Sequence, residues 1–230
     1  MLKLIAACAL STGGQAAAQP AGSRARDPAE VNEREMRRDR EEEARRVLAV
    51  YARCIVGRYG EQSRLAAFLA APPGSRLAGR IGQQLASSAC LESHGLRFHE
   101  ELFRGVIYQA LYHRDFAAAP IPDFAGVPAS DALPASDGES RGPESAILLR
   151  RYANCVTRAD PRAVRALVMS GTTEDDEAAA FVALRDPLSA CLGDGEIRFS
   201  RTMLRGLLAE SLYRLTEDAL SAPATATAAN

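Results

Sequence analysis

Apolar positions along this chain recur at helical spacing. In "LRFHEELFRGVIYQALY" (Leu96–Tyr112), Leu102, Phe103, Val106, Ile107, Ala110 and Leu111 form one broad apolar face. "IRFSRTMLRGLLAESLY" (Ile197–Tyr213) repeats it with Met203, Leu204, Leu207, Leu208, Ser211 and Leu212. Each segment predicts a core helix. Ser200 is placed to cap the second, whereas His99 is a poorer cap for the first. A long helix opens at Asp27-Pro28-Ala29-Glu30, a capping box with proline in the first turn, and runs to about Gly57. Its first half, "VNEREMRRDREEEARR", has Glu33/Arg37, Glu41/Arg45 and Glu42/Arg46 at i,i+4 and almost no apolar residue, so it reads as a solvated extension. Further helices are expected at 62–70, 76–90, from about Glu144, after Asp160-Pro161, and at 174–184, where Pro187 ends the pattern early. No strand pattern stands out beyond short extended "LRF" and "IRF" stretches. The expected fold class is all-α.

The two quoted segments are 101 residues apart, and that offset aligns Glu43–Arg114 with Glu144–Leu215 without a gap. Identities include Tyr51/Tyr152, Cys54/Cys155, Arg64/Arg165, Cys90/Cys191, Arg97/Arg198, Phe98/Phe199, Arg104/Arg205, Gly105/Gly206 and Tyr112/Tyr213. Chance similarity between Ala/Leu/Arg-rich helices matches alanine and leucine. It does not match two cysteines and an Arg-Gly pair at one offset. The expectation is two tandem four-helix units of about 70 residues related by internal duplication, 43–114 and 144–215. Between them, 115–143 is rich in Pro, Ala and Ser and reads as a linker, with Ile121 and Phe124 as apolar anchors able to dock. Residues 19–42 form a disordered start and the charged extension; 216–230 is expected to be a disordered tail, rich in Ala, Thr and Pro from Ser221.

The N-terminus bears on the cysteines. Met1–Gln19 has one lysine, a short apolar run and Ala16-Ala17-Ala18, the pattern of a signal peptide over 1–18. Leu4-Ile5-Ala6-Ala7-Cys8 also fits a lipoprotein box that would place a lipid anchor on Cys8, and a cytosolic Ala-rich start is the plain alternative. Export would leave Cys54, Cys90, Cys155 and Cys191, with both within-copy spacings equal to 36. Of three pairings, only Cys54–Cys90 with Cys155–Cys191 keeps each bridge within one unit. Each such loop stabilises a fold by roughly 3 to 4 kcal/mol on the chain-entropy account. A four-thiolate metal site would need C-x-x-C knuckles, which the chain lacks.

Gly105 and Gly206 each cost their helix about 1 kcal/mol relative to alanine, so both imply that another backbone passes close by. The neighbouring Arg104 and Arg205 need partners that both halves supply. Glu100 would serve Arg104, but Arg201 stands at its counterpart. Glu43/Glu144 is the acid found in both, so interhelical Arg104–Glu43 and Arg205–Glu144 pairs are expected, with arginines snorkelling over apolar surface as the alternative.

Candidate chemistry is sparse. His94, His99, Glu100 and Glu101 cluster locally, but Gly195, Ser200, Arg201 and Thr202 replace them in the second half, so a metal or catalytic site would exist in one copy only. Cys90 with His94 has the look of a thiol and its base, yet Gly195 faces Cys191, and a disulfide explains both cysteines. Tyr51/Tyr152 and Tyr112/Tyr213 read as half-buried core residues. No phosphate-cradling loop, nucleophile elbow or paired-histidine metal motif occurs, so no cofactor, metal or catalytic residue is assigned. A net charge of −1 gives no electrostatic reason to expect nucleic acid. No apolar run approaches the ~18 residues of a transmembrane segment. Arg97 and Arg198 lie beside the fourth-helix start, where backbone N–H groups attract anions, and are the candidate binding residues.

The repeated pattern Tyr51-Ala52-x-Cys54, Ala89-Cys90-Leu91, Arg97-Phe98, Arg104-Gly105, Leu111-Tyr112 behind a signal-like start resembles exported proteobacterial proteins of unknown function. The resemblance covers about 43–114 and 144–215 and implies no activity. The expectation is a periplasmic or secreted, non-catalytic helical protein binding an unknown protein or small ligand of the cell envelope. The alternative is an enzyme with a site in one diverged copy near His94–Glu101.

Overall fold

The computed structural model describes residues 28–86, 90, 99–128, 144–192 and 200–221. These form α1 (Pro28–Tyr59), α2 (Ser63–Ala70), α3 (Arg76–Ala86), α4 (Glu100–Phe116), α5 (Glu144–Ala159), α6 (Pro161–Met169), α7 (Glu174–Ala183), α8 (Arg185–Leu192) and α9 (Arg201–Ser221). Residues 1–36 and 37–230 are separate contact units, and all packing described below lies in the second. The chain is all-helical among the described residues, and no described helix is long and apolar enough to cross a membrane.

Local chemistry accounts for several helix starts. Asp160 accepts from the Ala163 amide at 2.9 Å ahead of Pro161, Thr173 caps α7 through the Asp176 amide, and Ser200 takes the Met203 amide at 3.2 Å. His99 precedes α4 without a side-chain cap bond. Asp27 and the "LRF" and "IRF" stretches lie outside the described residues. Glu33 to Glu41 is exposed wherever α1 side chains are described, and burial begins at Tyr51. Arg46 pairs with Glu43 one turn away rather than with Glu42.

The second half does not hold four helices. Pro187 sits in the first turn of α8, where no intrahelical amide bond is required, so a helix restarts where the sequence suggested an end. The gapless offset also slips there. Leu85 and Leu184 are both fully buried although 99 apart, while Asp186, 101 beyond Leu85, is exposed. The shift enters one helix earlier: Asp160 alone separates α5 from α6 where 60–62 separate α1 from α2, so Leu65 and Phe68 correspond to Val164 and Leu167, also 99 apart.

The core is built around α4 and α9, the most extensive helix pair. They meet at Gly105 and Gly206, each five residues beyond its helix start. A Cβ on Gly105 would fall 2.6 Å from the Gly206 Cα, and one on Gly206 would fall 2.8 Å from the Gly105 Cα. The close backbone is therefore the other glycine, and any side chain would drive the helices apart. Further along, Tyr213 packs against Tyr108 and Phe116 at centroid distances of 5.6 and 5.2 Å and donates to Asp115 Oδ2 at 3.0 Å. Tyr51 of α1 packs on Phe103, and Phe68 of α2 on the same ring. Disulfides Cys54–Cys90 and Cys155–Cys191 each have a Cα–Cα distance of 5.8 Å.

After α4 the chain stays attached. Phe124 is 5% exposed, Arg158 donates to the carbonyls of Phe124, Val127 and Pro128, and Arg165 donates to those of Ala117 and Ala119.

Candidate functional site

Arg97 and Arg198, the expected binding pair, lie outside the described residues, as does His94. Of the remaining cluster, His99 and Glu101 are exposed and Glu100 is committed: Oε1 accepts from Arg104 Nε at 2.8 Å and Oε2 from the Gly74 amide at 2.7 Å. No group of three or more His, Cys, Asp or Glu side chains could hold a metal among the described residues. Cys54, Cys90, Cys155 and Cys191 are all disulfide-bonded.

The expected Arg104–Glu43 pair does not form. Glu43 sits on the open face of α1 with Arg46, whereas Arg104, 2% exposed, turns to the C-terminus of α2. There Nη1 donates to Leu69 O at 2.9 Å and Nη2 to Ala71 O at 3.0 Å, satisfying carbonyls that a helix end leaves without partners. Its guanidinium also lies 4.7 Å over the Phe68 ring. Arg205 does the same for α6, donating to Val168, Ser170 and Gly171 carbonyls. Glu177 of α7, 0% exposed, lies 3.5 Å from it; the side chain of Glu144, its expected partner, lies outside the described residues. Burial holds the Arg205 guanidinium below its usual value, with Glu177 opposing. Neither arginine snorkels. A helix C-terminus carries partial negative charge and orphan acceptors, which makes it a better destination for a five-donor fork than a surface carboxylate.

Both long helices also reach across. Gln109 Nε2 donates to Val168 O at 3.0 Å and His113 Nε2 lies 3.2 Å from the same carbonyl, while Arg214 donates to Leu69 O at 3.3 Å. Desolvation lowers the His113 pKa, so it stays neutral near pH 7.

A polar constellation with unused capacity lies between α5 and α9. Arg150, Asn154, Glu210, Ser211, Arg214 and Asp218 surround a recess of about 30 Å³ with Leu207 and Leu215 as its apolar part. Glu210 is 5% exposed, and its Oε1 accepts from Arg150 Nη2 at 2.6 Å and from Arg214 Nε at 3.1 Å. Arg214 lies 5.3 Å over the Tyr108 ring, whose hydroxyl is pushed up to about 12 by burial and then by Glu210, so it is neutral. Burial lowers the Arg150 pKa against the pull of Glu210. Ser211 is 8% exposed, and its hydroxyl has no hydrogen-bond partner among the described residues. Thr157 and Thr216, by contrast, satisfy theirs on the carbonyls four residues back. The arrangement offers cations and a hydroxyl, and Ser211 Oγ hydrogen-bonds neither carboxylate of the recess, Glu210 or Asp218.

A wider hollow of about 410 Å³ lies over 121–125, Arg158 and Arg162, but Arg158 is taken up by carbonyls and Asn154. Sequence reading missed the α5–α9 recess because Glu210, Arg214 and Asp218 follow one another at i,i+4, the spacing of an ordinary surface ion-pair row. The available signal was a glutamate one position before Ser211, inside the apolar face. Compared with known proteins, the chain matches no family model, no curated protein and no solved structure.

Proposed function

We propose that this is an exported, non-catalytic helical protein that binds a partner or ligand in the periplasm or outside the cell. The observation carrying that reading is the use made of buried polar groups. Arg104, Arg205, Glu177 and Glu210 each hold a helix end or an opposite charge, and the four described cysteines are tied in bridges, so stability accounts for groups that an enzyme would spend on chemistry. Two disulfides also suit an oxidising compartment, in keeping with a leader-like start and with the resemblance to exported proteobacterial proteins.

We read 43–114 and 144–215 as copies of one ancestral unit. Gly105 against Gly206, bridges of equal span, and arginines capping α2 and α6 support this; the added α8 and slipped α7 record later divergence. Arg97 and Arg198 remain the recurring candidates for partner contact. Replacing both by alanine is expected to weaken capture of envelope components while changing stability by less than about 1 kcal/mol. A large stability loss would make them structural, and hydrolytic activity abolished by His94→Ala or His99→Ala would replace this reading with the enzymatic one.

A further inference from the structure

The recess between α5 and α9 is unbalanced in charge. Arg150 and Arg214, the latter 33% exposed, share one carboxylate oxygen of the buried Glu210, so the triad carries one positive charge in excess, and Asp218 stands exposed at the rim. Within the described residues Arg150 uses Nη2 alone, and Arg214 uses Nε and Nη2. Donors on both guanidiniums are left over. Ser211 adds a hydroxyl that is nine-tenths buried and unpartnered, a desolvated group that a ligand acceptor would satisfy.

We infer that this recess is a binding site for a carboxylate group, held by Arg150, Arg214 and the Ser211 hydroxyl. One excess charge matches a monoanion. Asp218 at the rim repels any anion, and phosphate, at about −1.5 to −2, more strongly than a carboxylate. The volume of about 30 Å³ admits the carboxylate itself and leaves whatever bears it outside. The positions 101 earlier are Ala49, Arg53, Gln109, Ala110, His113 and Ala117, so the constellation belongs to the second half alone. This gives the binding role proposed above a ligand chemistry and rests on that reading for its biological setting only; Arg97 and Arg198 take no part.

Titration of the full chain with acetate, and with a capped peptide carrying one glutamate, is to be followed by amide NMR at constant ionic strength. Saturable shifts at 150–154 and 207–218 are expected with at least one probe and not with the glutamine version of the peptide. Acetate alone would point to a small free acid; the peptide alone would point to an acidic protein segment. Arg150→Gln should weaken binding about tenfold, the loss of one charge-assisted hydrogen bond. Asp218→Asn, at an exposed position that leaves the fold alone, should tighten it about threefold by removing a like charge. The Arg97→Ala, Arg198→Ala double variant should bind acetate unchanged, which separates this site from the partner surface. No saturation with either probe, or affinities indifferent to Asp218→Asn, would overturn the inference.

Discussion

Gly105 and Gly206 are each other's closest obstacle: the Cα of one occupies the space that the other's side chain would need, at 2.6 and 2.8 Å. Because both partners are backbone, neither can rotate away. The α4–α9 distance is therefore set at this one contact, and the aromatic cluster of Tyr108, Phe116 and Tyr213 inherits its spacing.

Gly105→Ala or Gly206→Ala is accordingly expected to destabilise the fold by about 1 to 3 kcal/mol despite the better helix propensity, since overpacking outweighs the gain. Gly57→Ala, in a helix with nothing within 4 Å of the added carbon, should stabilise by about 0.5 to 1 kcal/mol. Urea unfolding of the three variants would read both signs.

Arg205→Met removes three carbonyl bonds and strands Glu177 at 0% exposure, which should cost about 3 to 5 kcal/mol. Adding Glu177→Leu should recover much of that loss. Arg104→Met should cost less, because the Glu100 side chain is 16% exposed and keeps the Gly74 amide. A double-mutant cycle by denaturant unfolding would test the order.

Burial, and then Glu210, raise the Tyr108 pKa from 10.0 to about 12. The unfolded chain ionises first, so this contribution is complete below about pH 10 and is lost as pH rises through about 12. Tyr108→Phe should flatten the alkaline fall by about 2 to 3 kcal/mol, leaving the part due to Tyr213, which burial and Asp115 also raise. Unfolding curves collected across that window would show it.

Arg158→Ala should release the segment after α4. Arg158 donates to Phe124 O at 2.6 Å, Val127 O at 2.8 Å and Pro128 O at 3.0 Å, and without it Phe124 keeps its apolar contacts and one local bond from the Val127 amide. Limited proteolysis is expected to cut within 120–143 faster than in the parent chain, at a stability cost of about 1 to 2 kcal/mol.

The sequence by itself determined the helical class, the starts at Asp160 and Ser200, the cysteine pairing, and the need for a close backbone at Gly105 and Gly206. All of these follow from spacing along the chain: side chains three or four apart share a face, a cap bonds an amide three residues on, and equal loops close on themselves. Tertiary structure alone decided that each glycine's neighbour is the other, that Arg104 and Arg205 serve the ends of α2 and α6, that Glu177 lies beside Arg205, and that Glu210 is buried with two arginines. A carbonyl acceptor is present at every residue and leaves no mark in the sequence, so an arginine that seeks one looks like an arginine that seeks an acid. Which acceptors are orphaned, and which are within reach, is settled when separate helices pack.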